Sequence, residues 1–188
     1  VGLKQPKSDI SLGTKELISK SSKLKFPILL RPSYVLGGRM MEKMANLDDV
    51  QDYIDQNYWA LENNVILIDE FLKNAKEVDV DVLRDNQGNT MIAGIMEHIE
   101  EAGVHSGDSA CSIPPFSLSD KIISDIKKFS ISLASELKIL GLMNIQYAIK
   151  DNEIFILEAN PRASRTIPFL AKAIGIPFIK IAAELIVG

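Results

Sequence analysis

Two apolar runs, MNIQYAIK (143–150) and EIFILEAN (153–160), meet at a tight DNE link. Each run has strand length and strand composition, and the link has turn residues, so the pair reads as an antiparallel hairpin. This pair constrains the fold more than any other segment, because a sheet with an apolar face must be covered by other elements. Side chains alternate along a strand. Glu158 and Asn160 therefore share a face, and Ala159 takes the other. On the partner run, Asn144, Gln146 and Ala148 alternate with Ile145, Tyr147 and Ile149. With Asp151–Glu153 as a three-residue link, Gln146 is predicted opposite Glu158, and Asn144 opposite Asn160. One face then offers a carboxylate and amide oxygens, hard ligands suited to Mg²⁺. Arg162 and Arg165 follow at once, where they can meet phosphate oxygens or an anionic substrate. The competing reading is that these polar residues only mark a strand end. A hydrolytic carboxylate pair is disfavoured, because no second acid is expected on this face.

The rest of the chain supplies the cover. Residues 14–25 suggest a short helix, and FPILLRPS a buried strand that stops at Arg31-Pro32. Leu47, Val50, Ile54, Tyr58 and Leu61 recur at helical spacing. NVILIDEFL (64–72) reads as another buried strand. EVDVDVLRDNQGNTMIAGIMEHI alternates with period two around a DNQGN turn, and its Asp79 and Asp81 are expected on a solvated outer face. Ser119 is a plausible N-cap for a long helix carrying Ile122, Ile126, Phe129, Leu133, Leu137 and Leu140, with Gly141 as its stop. The tail predicts two short helices broken at Gly175 and Pro177. The class expected is α+β, with a small lobe over 1–66 and a larger one over 67–188.

Two further clusters carry chemistry. Arg31, Gly37, Gly38 and Arg39 form a glycine loop flanked by cations, in which the backbone can approach an anion closely. It lacks the G-K-[ST] ending of a Walker A loop and the third glycine of a dinucleotide fingerprint. EHIEEAGVHSGDSAC (97–111) reads as a ligand-binding loop. His98 and His105 lack the i, i+4 spacing of a helical zinc pair, and Ser106, His105 and Asp108 have no nucleophile elbow around them. Asp69, Glu70 and Glu77 follow a buried strand, where one acid could bond a ribose hydroxyl.

Composition narrows the function classes. A net charge of −4 gives no dominant basic surface, which argues against nucleic acid as a partner. No apolar run approaches the ~20 residues of a membrane span, so no membrane role is expected. The lone Cys111 excludes an internal disulfide and fits a reducing, cytoplasmic setting. The chain opens VGLKQP without methionine and closes ELIVG inside a helical pattern, which leads us to expect a piece of a longer polypeptide.

Taken together, RPSYVLGGR, EVDVD, MEHIEEAGVHSGDSACS, GLMNIQYAIK and LEANPRASRT resemble, in that order, the ATP-grasp domain of the carbamoyl-phosphate synthetase large subunit. The resemblance runs from Leu3 to Gly188. The GGR loop and the MEHIEEAGVHSGDS run are more similar to the second synthetase half, which phosphorylates carbamate with ATP, than to the bicarbonate-phosphorylating half. The resemblance implies two lobes with nucleotide bound between them, the smaller acting as a lid. It implies phosphate contacts from Arg31, Gly37, Gly38 and Arg39. It implies an adenine pocket at Asp69, Phe71 and Leu72, ribose held by Glu77, and a nucleotide loop at Gly103, Val104, His105 and Ser106. Gln146, Glu158 and Asn160 would bind Mg²⁺ or Mn²⁺, with Asn160, Arg162 and Arg165 at the transferring phosphoryl group. A K⁺ site is implied near Glu77, His98, Glu101, Val104 and Ser109, with Glu101 standing where the family has glutamine. Ala159 stands where the family more often has valine. The implied partners are ATP, carbamate, the rest of the large subunit and a glutamine amidotransferase small subunit. Three alternatives stay open: the bicarbonate-phosphorylating half, another ATP-grasp ligase such as biotin carboxylase, and a nucleotide-binding fragment without turnover of its own.

Overall fold

A computed structural model describes residues 2–33, 40–104 and 109–187 of the chain. It divides into two compact units, Gln5–Lys73 and Asn74–Gly188, the latter joined by Val1–Lys4.

The Gln5–Lys73 unit runs β1 (Ser8–Leu12), α1 (Leu17–Ser21), β2 (Ile28–Pro32), β3 (Glu42–Met44), α2 (Leu47–Leu61) and β4 (Val65–Glu70). The strands form an antiparallel sheet in the order β1-β4-β2-β3. Ile28 and Leu30 of β2 and Ile66 and Ile68 of β4 bury their side chains against Leu17, Val50 and Leu61 of the helices. Helix α2 begins where Asn46 accepts hydrogen bonds from the backbone N–H groups of Asp48 and Asp49, satisfying donors that a helix start leaves free. The helix expected over 14–25 contracts to Leu17–Ser21, and its Glu16 start makes no side-chain cap bond. The short strands β1 and β3 were not anticipated. Ile10 and Leu12 of β1 lie exposed, so its alternation carries little signal.

The second unit contains β5 (Lys76–Arg84), β6 (Thr90–Glu101), β7 (Cys111–Ser112), α3 (Asp120–Glu136), β8 (Gly141–Lys150), β9 (Glu153–Asn160), α4 (Ile167–Ile174) and α5 (Phe178–Val187). Its strands form an antiparallel sheet in the order β7-β6-β5-β8-β9. Val78, Val80, Met143, Ile145 and Tyr147 cluster with Ile122 and Ile126 of α3 on one face. On the other, Leu83, Ala93 and Leu142 pack with Ile167, Leu170, Phe178 and Ala182 of α4 and α5. The approach of α4 is very close: a Cβ on Gly94 of β6 would stand 2.5 Å from Leu170 Cδ1. The DNQGN turn joins β5 to β6, with Asp85 Oδ1 accepting from Gln87 N and Asn89 N.

Ser119 caps α3 as expected, its side chain accepting from Ile122 N. The helix ends at Glu136, however, and not at Gly141. Lys138 already takes a left-handed φ of 50°, and Gly141 opens β8. Leu137 and Leu140 are accordingly exposed, at 50% and 43%. The tail forms two helices, and α4 ends at Gly175 with a left-handed φ of 81°.

Candidate functional site

The β8–β9 hairpin brings Gln146 opposite Glu158 and Asn144 opposite Asn160, the pairing expected from the sequence. It does so by another route. The turn has two residues, Asp151 and Asn152, both with positive φ (51° and 62°), the backbone a tight hairpin requires. Lys150 pairs with Glu153 and Tyr147 with Ile156, and the register then slips by one at a bulge, so that Gln146 meets Glu158. Leu157 is the extra residue. Under strict alternation Glu158 would share the core face with Ile154 and Ile156. The bulge moves it to the opposite face, as bulges beside functional sites do.

The same face continues across β5. Asp79 pairs with Gln146, and Asp81 with Asn144, so two cross-strand rows form: Asp79–Gln146–Glu158 and Asp81–Asn144–Asn160. This corrects two expectations. Asp79 and Asp81 are not solvated, being 2% and 1% exposed, and the face does carry further acids. The reason is tertiary. His98 of β6 bonds Asp79, Asn144 and Thr166 bond Asp81, and α4 and α5 pack farther along the same face on Leu83, Ala93 and Leu142, while the acids alternate as surface residues would.

Each acid on β5 is held by neighbours. Asp81 Oδ1 accepts from Asn144 Nδ2 at 3.1 Å and its Oδ2 from Thr166 Oγ1 at 2.8 Å. Burial pushes the Asp81 carboxyl above its ordinary range, against the pull of Ser164, Thr166 and Asn144. Asp79 Oδ2 accepts from His98 Nε2 at 2.9 Å. Burial disfavours charge on His98, but the Asp79 bond and the charges of Asp79, Glu77 and Glu100 outweigh it and raise its pKa. Glu77 lies 3.5 Å from His98 Nδ1 and accepts from Gly103 N at 3.2 Å. Burial raises the Glu77 carboxyl, helped by the negative charges of Asp79 and Glu158, which puts all three acids in one electrostatic neighbourhood. Asp79 Oδ1, His98 Nδ1 and Ser109 Oγ are buried with no hydrogen-bond partner among the described residues.

At the open end, Glu158 is exposed and Asn160 half-buried. Asn160 Nδ2 donates to Glu158 Oε1 at 2.7 Å, which leaves the Asn160 amide oxygen free of that bond. Among the described residues no group of three or more His, Cys, Asp and Glu side chains is placed to hold a metal. The candidate set instead has one carboxylate and amide oxygens, which fits a hard cation that keeps several waters. Arg162 and Arg165 are exposed on the segment leading into α4. Arg162 N donates to Asn160 O at 2.8 Å, turning the chain immediately after the strand.

In the Gln5–Lys73 unit, Arg31 and Asp69 come together. Arg31 Nε donates to Asp69 Oδ2 at 2.8 Å, and Nη2 lies 2.7 Å from the same oxygen. The pairing follows from adjacent antiparallel strands, β2 and β4. Phe71 N donates to Pro27 O, and the Lys43 ammonium lies 5.1 Å from the Phe71 ring centre. Leu72 is half-buried beside it in sequence. Gly37, Gly38, Arg39, His105 and Ser106 lie outside the described residues. Gly103 and Val104 follow β6, and Val104 N donates to Glu101 O at 3.3 Å. Sequence reasoning missed Thr166 and Ser164; hydroxyl residues just ahead of the IPFLAKAI helix were the available signal.

Residues 3–188 match the family described as carbamoyl-phosphate synthase L chain, ATP binding domain. Over its whole length the chain is 50% identical to the carbamoyl phosphate synthase large chain of Archaeoglobus fulgidus and covers 17% of it. It is 49% identical to that of Methanosarcina barkeri, covering 47%. It is 46% identical to the large chain, C-terminal section, of Aquifex aeolicus, covering 35%. The chain thus spans less than half the length of each of these relatives. Among solved structures, a biotin carboxylase–βγ-ATP complex from Campylobacter jejuni superposes with a TM-score of 0.77 at 16% identity, over 98% of this chain and 42% of that one. An ADP complex of N5-carboxyaminoimidazole ribonucleotide synthetase gives a TM-score of 0.74 at 21% identity, over 88% and 42%. These likenesses establish the fold, an α+β ATP-grasp fold of antiparallel sheets and helices. No helix among the described residues is long and apolar enough to cross a membrane.

Proposed function

The chain belongs to the ATP-binding domain family of the carbamoyl-phosphate synthase large chain, ATP-grasp ligases, and from that membership we propose that it phosphorylates carbamate to carbamoyl phosphate with ATP. The observation that carries a phosphoryl-transfer reading is the cross-strand pair Gln146–Glu158 with Asn160 at the strand end, two residues before Arg162. The full-length match to a C-terminal section favours the carbamate-phosphorylating half.

Phosphoryl transfer asks a protein chiefly for position and for positive charge around the equatorial oxygens. A carbamate oxygen attacks the γ-phosphorus in line; the bond to the β–γ bridging oxygen breaks, and its electron pair leaves with ADP. Arg162 and Arg165 stabilise the equatorial oxygens and hold the carbamate, with Asn160 beside them. Gln146, Glu158 and Asn160 fit a divalent cation, Mg²⁺ or Mn²⁺, which when bound neutralises charge on the nucleotide phosphates. Arg31 contacts phosphate, and Asp69 fixes the plane of its guanidinium. Arg39 and the Gly37-Gly38 backbone join it by family likeness. Phe71 and Leu72 line the adenine site with Asp69, and Glu77 holds the ribose. Gly103, Val104, His105 and Ser106 form the nucleotide loop. A K⁺ ion beside Glu77 and His98 belongs to the same reading, as do the remaining large chain and the glutaminase small subunit as partners.

The test is the reverse reaction in the full-length chain: ADP and carbamoyl phosphate give ATP and carbamate. Metal-dependent ATP formation that is lost on Glu158→Gln is expected. ATP formation that survives Glu158→Gln and disappears when the corresponding glutamate of the other synthetase half is replaced would overturn the assignment and favour the bicarbonate-phosphorylating role.

A further inference from the structure

We propose that Asp81 is a positioning residue for phosphoryl transfer: it ties the segment carrying Arg162 and Arg165 to the metal face through Thr166 and orients the Asn144 amide. This deepens the function proposed above and rests on it.

A six-residue segment, 161–166, links β9 to α4 and carries both arginines. Its first end is fixed by strand pairing, Asn160 with Asn144, and by the Arg162 N to Asn160 O bond. Among the described residues, strand pairing stops at Asn160 and does not reach the far end. Thr166 stands at the N-cap of α4, yet its side chain makes no cap bond. The Thr166 hydroxyl instead donates to Asp81 Oδ2 at 2.8 Å, across 85 residues of sequence. Ser164 Oγ lies 2.7 Å from Thr166 Oγ1 and accepts from Ile167 N at 3.1 Å, so it serves the first turn of the helix in place of Thr166. Thr166 is thus directed at the sheet, and Ser164 serves both the helix start and the Asp81 carboxylate.

Asp81 is built for this task. A carboxylate only accepts hydrogen bonds, so its neighbours must donate. Asn144 therefore turns its Nδ2 toward Asp81 Oδ1, which aims its amide oxygen away from Asp81. A neutral amide at position 81 would remove that preference, and Asn144 could flip. The carboxylate is also rigid in place: it is 1% exposed and sits in the middle of the sheet. Gly94 lies directly across β6 from it, and there Leu170 of α4 packs in the space a side chain would take. The polar tie at Thr166 and the apolar contact at Leu170 hold the start of α4 at two points one helical turn apart. Catalytic geometry tolerates little drift, and a displacement near 1 Å can cost about 100-fold in rate. A segment that must place two arginines is fixed at its far end by such a tie.

The experiment uses the full-length chain with Asp81→Asn, Thr166→Val and Thr166→Ser. Two readouts are taken: reverse ATP synthesis from ADP and carbamoyl phosphate, and amide hydrogen exchange of the peptide covering 161–167. For Asp81→Asn and Thr166→Val, kcat should fall by about 10- to 100-fold, KM for carbamoyl phosphate should rise, KM for ADP should hold within twofold, and exchange at 161–167 should quicken. Thr166→Ser keeps the hydroxyl and should stay within about threefold of wild type. Unchanged exchange at 161–167 in Thr166→Val, or a Thr166→Ser variant as impaired as Thr166→Val, overturns the proposal. If Asp81→Asn does not fold, the two threonine variants decide. Faster exchange in Thr166→Val, with wild-type enzyme inert toward carbamoyl phosphate, would refute the function proposed above and leave the tie itself standing.

Discussion

Replacement of Gly94 by alanine tests how α4 is seated. The added Cβ would lie 2.5 Å from Leu170 Cδ1, 2.7 Å from Cδ2 and 3.1 Å from Cγ. Carbon atoms in contact prefer about 3.5–4.0 Å, so Leu170 must retreat by about 1 Å. It has nowhere to go: it is fully buried among Leu83, Ile167, Phe178 and Ala182. Overpacking of this kind costs about 1–3 kcal/mol. The gain from stiffening the unfolded chain offsets about 0.4–1 kcal/mol. A net loss of about 1–2 kcal/mol is expected, or roughly 2–8 °C in Tm for a chain of this size. Urea denaturation followed by circular dichroism measures it. Leu170→Ala alone should cost about 2–5 kcal/mol through the cavity it leaves. In the double variant the new methyl occupies part of that space, so the two losses should sum to more than the double variant shows, by about 0.5–3 kcal/mol. A Gly94→Ala protein as stable as wild type, or strictly additive losses, would refute the reasoning. The full-length Gly94→Ala enzyme should also lose turnover, because Leu170 N donates to Thr166 O at 3.0 Å and the displaced helix carries Thr166 with it.

Three more outcomes follow from particular side chains. Glu158→Gln should leave the circular dichroism spectrum unchanged and lower metal-dependent ATP synthesis in the complete enzyme by more than about 100-fold, since even an outer partner of a metal ligand is worth 10–100-fold; retained activity would remove Glu158 from the site. Ser130 and Tyr147 share a buried hydrogen bond of 2.9 Å, so Ser130→Ala should cost about 1–3 kcal/mol by leaving the Tyr147 hydroxyl unpaired. Adding Tyr147→Phe should recover part of that loss in the same urea titration. Asn46→Ala should cost about 0.5–2 kcal/mol and Asn46→Gly only a few tenths, because Asn46 caps α2 through Asp48 N and Asp49 N.

Some of this molecule is legible in its residues because the physics is local. Alternation and turn composition identify the β8–β9 pair, and the Asn46 and Ser119 caps mark helix starts. Val50, Ile54 and Leu61 of α2 announce a buried side, although Leu47 and Tyr58 of the same stripe lie exposed, and Gly175 ends α4 where a left-handed backbone is needed. The oxygen-rich end of LEANPR follows from the same local spacing. Distant contacts decide the rest. A bulge at Leu157 has no glycine or other residue signature, so only strand pairing reveals that Glu158 changes faces. Asp79 and Asp81 read as surface acids because their alternation is the same whether water or another element covers them. Their partners come from elsewhere in the chain: His98 stands 19 residues beyond Asp79, and Thr166 stands 85 residues beyond Asp81. The sequence by itself therefore determined which residue types line the face, since periodicity and turn chemistry act over a few residues. Only the tertiary structure decided which of those polar groups are buried, whom they bond and how the arginine segment is tied, because desolvation and packing depend on neighbours that the chain brings together only when folded.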